Sequence, residues 1–180
     1  MDENVKFGEM AIFFKCFWYL ISISSIGFFV GRLVPKHWFA WNQFPYNPLR
    51  FEKNGKLYKK LMVHRWHKYA PDMSKVVKRM PAKGIKGEVN EETILLMIRE
   101  TCIAEWTHCL LGLFGFVCIS IWPGGGGLVL ALIYLLLGHL PYIIIQRYNR
   151  PRLVRLMYKM RVAEERELCA EAQSSYVRGA

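Results

Sequence analysis

Three long apolar blocks, at about residues 11–30, 103–122 and 128–145, constrain this chain more than any other feature of it. A helix crosses a bilayer with about 20 mostly apolar residues in succession, whereas a soluble domain spaces its apolar residues at helix or strand periods. The blocks therefore predict an all-α integral membrane protein with about three transmembrane helices, arranged as one membrane domain over residues 1–180. Within the first block the single charge is Lys15, and the leader before it (Asp2, Glu3, Lys6, Glu9) is net acidic. A secretory signal has a basic start and a shorter apolar core, so this block is expected to be an uncleaved span.

Charge then sets the expected orientation. Loop 31–102 and tail 146–180 together hold 23 of the 25 lysines and arginines. Three spans put both segments on one side, and the positive-inside rule makes that side cytoplasmic, with the N-terminus outside the cell membrane. A net charge of +11 in a soluble fold would suggest nucleic acid. Here the cations flank apolar blocks instead of forming a stripe, so the expected partners are membrane lipids, with no nucleic acid. The loop alternates aromatic residues, among them Trp38, Trp41, Tyr46, Tyr58, Trp66 and Tyr69, with cations. That pattern suits a segment lying along a headgroup layer, a small folded cytosolic subdomain, or both.

Residues 82–88, with Gly84 and Gly87, predict a turn. Asn90 then offers an N-cap and Glu91 and Glu92 an acidic first turn for a helix running into the second block. The 123–127 run, Pro-Gly-Gly-Gly-Gly, breaks that helix, so blocks two and three read as a helical hairpin. His139 and Pro141 in the third span are candidates for a kink that faces the bundle interior. The five cysteines (Cys16, Cys102, Cys109, Cys118, Cys169) form no CxxC pair, and at least three lie in apolar runs, where reduced, buried thiols are the default.

Three polar groupings could carry chemistry. The first is Glu100, Glu105 and His108. Only 14 residues separate His108 from Pro123, too few to cross about 30 Å of hydrocarbon, so a spanning helix carries His108 and Glu105 within the membrane boundary. Helical spacing lets both carboxylates approach the imidazole, an arrangement suited to a general base; an ion pair holding neighbouring helices together is the alternative. A metal-binding Glu-x-x-His reading lacks the second copy that a di-iron bundle needs. The second grouping is Gln146, Arg147, Tyr148, Asn149, Arg150, Pro151 and Arg152. Three arginines in six residues could grip a phosphate or carboxylate bidentately, or simply anchor the span to anionic lipid. The third is His67 and Asp72, an HxxxxD spacing like that of glycerolipid acyltransferases, set in what otherwise reads as an interfacial loop.

Segment 143–153, IIIQRYNRPRL, carries intact the QRYNRPRL signature of the small membrane acyltransferases typified by glycosyl-4,4'-diaponeurosporenoate acyltransferase. The Glu100-Thr101, Ala104-Glu105 and His108 pattern resembles that family's ET-x-x-AE-x-x-H motif. Segment 51–56, FEKNGK, and the Arg65-Trp66 to Asp72 region match in order and spacing, so the resemblance covers about residues 45–156. One departure is His67, where the family usually has lysine, which makes the HxxxxD spacing accidental. The resemblance implies transfer of a fatty acyl chain to a hydroxyl of a glycosylated lipid, with no cofactor beyond acyl-CoA or another acyl donor as co-substrate. On that reading His108, oriented by Glu105 and Glu100, is the base, and Arg147, Asn149, Arg150, Arg152, Arg65 and Trp66 contact substrate. Cys102 and Cys109 flank the histidine and leave a covalent acyl-enzyme open. A transferase of another group and a non-catalytic membrane scaffold or lipid-binding subunit are the competing readings.

Overall fold

The computed structural model describes residues 3–66 and 90–179, and these contain helices and turns but no strand. The predicted turn at 82–88 and the His67/Asp72 pair lie outside the described residues. Helix α1 spans Glu3–Leu33. A mostly irregular stretch follows, with 3-10 turns at Lys36–Trp38 and Arg50–Gly55 and two short helices, α2 (Lys56–Lys60) and α3 (Val63–Trp66). Helix α4 covers Glu91–Phe114 and continues through a 3-10 turn into α5, Cys118–Ile121. Helix α6 (Gly126–Ile133) passes through a π-turn at Tyr134–His139 into α7, Leu140–Gly179.

Three of these stretches, Phe7–Leu33, Glu91–Ile121 and Gly126–Ser174, are long and apolar enough to cross a membrane. Only 11% of the most apolar window of α1 is buried within the chain. Phe29 is 63% exposed and Leu137 73%, and exposed apolar residues recur along all three helices. Water would not tolerate so much contiguous apolar surface, whereas lipid covers it at no cost. The helices outrun the apolar blocks that announce them. Helix α4 begins at Glu91, inside the polar loop, and the basic tail is helical rather than irregular, continuing α7 to Gly179.

Local chemistry accounts for the helix ends. The Asn90 side-chain oxygen accepts from the Thr93 backbone N–H at 2.8 Å and from the Thr93 hydroxyl at 2.6 Å, which caps α4 as its sequence predicts. Between α5 and α6 the chain reverses with Gly124 at φ 89° and Gly125 at φ 101°, values that favour glycine. Gly127 then lies so close to α5 that a Cβ there would sit 2.1 Å from the Cys118 carbonyl oxygen.

The main packing seam joins α4 to α7, which run antiparallel. Ile94, Ile98 and Met157 form its outer cluster, with Trp41 of the loop against it. Phe39, Cys102 and Ile103 form a second cluster, and Tyr58, Val63 and Ile145 a third, so the 34–66 segment is folded onto one end of the helix pair. At the opposite end Cys16, Leu20 and Cys118 join α1 to α5. Thus the polar segment forms a cap on the basic end of the bundle, and the candidate site lies beneath it.

Candidate active site

Glu105 sits on the face of α4 that meets α7, 5% exposed, and its two oxygens are shared between Arg147 and Arg150. The arginines are three residues apart on α7, so both reach the same side of the helix. A second carboxylate arrives from the cap. Glu52 accepts from Arg147 Nε at 2.5 Å, from the Tyr58 hydroxyl at 2.6 Å and from the Leu49 backbone N–H at 3.0 Å. Two guanidiniums therefore face two carboxylates, a neutral set, and each buried charge has hydrogen-bonded partners, which makes burial tolerable.

The remaining arginine donors hold backbone. Arg147 Nη1 donates to the Pro45 carbonyl at 3.1 Å. Arg150 donates to the Tyr46 carbonyl at 2.7 Å and, through Nε, to the Thr101 hydroxyl at 2.9 Å, and its guanidinium stands 5.3 Å from the Tyr46 ring centre. The two arginines thus tie α7 to α4 and to the 45–47 segment simultaneously. Outside the spans, burial and then the Glu52 hydrogen bond raise the Tyr58 pKa above its ordinary value. Burial likewise pushes Tyr46 up to about 12.

His108 lies one helical turn beyond Glu105. Its Nδ1 is 2.9 Å from Nδ1 of His139, which the π-turn between α6 and α7 presents inward. The His108 ring stacks on Tyr142 with 4.8 Å between centres and 10° between planes. His139 is 5% exposed, packs edge-on against Tyr134, and its Nε2 has no partner among the described residues. Two imidazoles at this separation share one proton between the facing nitrogens, so one ring donates and the other accepts. Each ring then keeps its Nε2 for other work.

The residues singled out from sequence divide accordingly. Glu105, Arg147 and Arg150 meet in one cluster, and His108 lies beside it, but the carboxylate expected to orient His108 is committed to the arginines. Glu100 is farther away, paired with Lys36 at 2.5 Å. Arg152 is exposed and bonds the Tyr148 hydroxyl at 2.9 Å. Asn149 is half-buried and makes no side-chain hydrogen bond among the described residues. Arg65 is exposed on α3, and the Trp66 indole donates to the Leu61 carbonyl at 3.0 Å while packing on the Tyr58 cluster. Cys102 is buried and Cys109 exposed. Sequence reasoning assigned no role to Glu52 or Tyr58, although an acid within the strongly basic loop was the available signal for the first. Among the described residues no three His, Cys, Asp or Glu side chains converge as metal ligands do.

A helical membrane bundle with a buried carboxylate–guanidinium cluster and a histidine pair under a basic cap defines an integral membrane protein with a built polar site at one end. Its family is more specific. Residues 35–159 match the family model described as glycosyl-4,4'-diaponeurosporenoate acyltransferase, and the chain belongs to that family. It is an acyltransferase of the kind that moves groups other than amino-acyl groups. Relatives named glycosyl-4,4'-diaponeurosporenoate acyltransferase from Staphylococcus aureus strains bovine RF122 / ET3-1 and N315 are each 27% identical over 169 residues, covering 92% of this chain and 99% of theirs. No solved structure matches the chain.

Proposed function

We propose that the protein transfers a fatty acyl chain from an activated donor to a sugar hydroxyl of a glycosylated lipid, a glycosyl carotenoid acid or a related glycolipid, at the cytoplasmic surface of the cell membrane. The observation that carries this reading is the His108–His139 pair beside the buried Glu105–Arg147–Arg150–Glu52 cluster, in a chain whose relatives bear the name of such an enzyme. Positive-inside orientation supports a cytoplasmic cap and an external N-terminus. An acyl tail and a lipid acceptor both partition into the bilayer while their polar reacting ends stay near its surface, which is where this site sits in that orientation.

In the proposed step His108 keeps its Nδ1 proton in a hydrogen bond to His139 Nδ1, so that its Nε2 carries none. That nitrogen takes the proton of the acceptor hydroxyl as the oxygen attacks the acyl carbonyl carbon of a thioester. A C–O bond forms, the C–S bond breaks, and the proton passes from His108 to the leaving thiolate, so charge and protons balance. His139 takes the orienting role that a carboxylate fills in many such pairs. Arg147 and Arg150, their donors engaged within the chain, fix the cap and both helices around the reacting groups.

Lipid mass spectrometry tests this in cells that make the glycosylated carotenoid acid and express wild type, His108→Ala or His139→Ala at matched membrane levels. Wild type is expected to add one fatty-acyl mass to the glycolipid, and His108→Ala to lower product at least about 100-fold, the usual share of a general base. Equal product from His108→Ala and wild type removes this mechanism. An unchanged lipidome with wild type removes the acceptor assignment.

A further inference from the structure

Beside the carboxylate–guanidinium cluster lies a cavity of about 750 Å³, bounded by Trp41, Lys56, Lys59, Arg147, Arg150 and Arg155 among others. Its volume is that of a small-molecule site, about 300 to 1,000 Å³, and far exceeds what one phosphate or a few waters need. Glu52 and Glu105 balance Arg147 and Arg150. Lys56 and Lys59 are different: both are exposed, and neither is paired with a carboxylate among the described residues. They stand three residues apart on α2, so both ammonium groups share one side of that helix.

The helix that carries them is itself anchored. Tyr58, between the two lysines, is 4% exposed and bonds Glu52, which in turn holds Arg147 of α7. Two ammonium groups on long stems are thereby mounted on a fixed base beside a cavity in which Arg147 and Arg150 are already balanced by carboxylates. A lysine pair that served only to attract anionic lipid would need neither the buried tyrosine nor the cavity.

We propose that this cavity receives the phosphate-bearing headgroup of the acyl donor, with Lys56 and Lys59 as the groups that recognise its phosphates. This rests on the acyl-transfer reading and deepens it. The task of gripping the donor's anion moves from Arg147 and Arg150 of the QRYNRPRL segment, which are engaged within the chain, to two lysines of the cap. Ammonium groups suit it, as compact charges with rotatable donors that accommodate phosphates of varied geometry. Trp41 and Pro48 supply apolar wall for the uncharged part of the headgroup.

The test uses the full chain in phosphatidylcholine nanodiscs, titrated with coenzyme A and with pyrophosphate as competitor. Wild type is compared with the Lys56→Gln/Lys59→Gln double variant, in which both side chains keep their stems and Tyr58 stays in place. We expect the double variant to bind coenzyme A at least about tenfold more weakly, since charge-assisted contacts are lost. The KM for acyl-coenzyme A should rise by a similar factor with kcat within about twofold, the pattern of lost headgroup binding. In a second arm phosphatidylglycerol replaces coenzyme A. If it alone binds and serves as acyl donor, with the same dependence on the two lysines, the phosphate site stands and its source is a lipid. Lysine-dependent binding without turnover in wild type leaves the site intact and removes the acyl-transfer reading. Binding and KM unchanged by the double variant, for both ligands, overturn the proposal.

Discussion

Glu105 is the residue on which most of the polar site depends. Replacing it by Gln keeps its shape but leaves Arg147 and Arg150 with surplus charge beneath the cap. Breaking a buried pair in this way costs about 3 to 5 kcal/mol, so Glu105→Gln should unfold well below wild type when followed by thermal melting in detergent. Adding Arg150→Met to Glu105→Gln should recover part of that loss, and a double-mutant cycle measures how much of it belongs to the pair. Tyr58 and Tyr46 supply a second residue-scale expectation. Both have pKa values raised above the ordinary 10.0. A raised value means stability is fully present below pH 10 and is lost as pH rises through the folded-state pKa, about 12 for Tyr46. Alkaline titration of tyrosine absorbance, run beside a melting curve, should therefore show the cap loosening only above about pH 10. An ion pair from Glu105 to a neighbouring helix was readable as the alternative to orienting His108, but the partners were not. Helical spacing relates residues within one helix, and it correctly puts Glu105 and His108 together on α4. What a carboxylate meets across a seam depends on the neighbouring helix, and Glu52 reaches Arg147 only because the whole cap is folded back.

Elements were more legible than partners. The Asn90 cap, the acidic first turn and the glycine reversal all follow from residue types that admit few alternatives at those places. The α5–α6 reversal makes the sharpest demand. Gly127→Ala would drive a methyl group into the Cys118 carbonyl, and backbone cannot swing aside as a long side chain can. We expect this variant to lose its folded membrane fraction, read by size-exclusion in detergent. Gly8→Ala, where nothing lies within 4 Å of an added Cβ, should behave as wild type. The length of α7 and the π-turn that precedes it were not legible, for different reasons. The tail lacks an apolar run, so its helicity rests on helix-favouring residues and on the seam with α4. A π-turn leaves no mark in hydrophobic periodicity.

At the scale of the whole molecule the three spans were plain from the outset, because twenty apolar residues in a row have few soluble uses. The proposed orientation makes one direct demand. Cys169 is exposed on the far part of α7; Cys16, Cys102 and Cys118 are buried, and Cys109, exposed within the second span, is replaced by Ser for the test. A membrane-impermeant maleimide should leave Cys169 unlabelled in intact cells and label it in inverted vesicles; labelling in intact cells would reverse the topology. The π-turn at Tyr134–His139 has a consequence of another kind, for which sequence lengths the family can tolerate. Removing one residue there would let the segment relax to ordinary helix, with backbone hydrogen bonds and apolar character preserved. Because a π-turn is an α-helix holding one residue more than its turn needs, the helix beyond would keep nearly its rotation about the axis, and Arg147 and Arg150 would still face Glu105. A deletion inside the π-turn is thus a length change this span absorbs at the cost of the inward seat of His139, whereas a deletion in α6 or in α7 before Arg147 would turn both arginines about 100° away from Glu105.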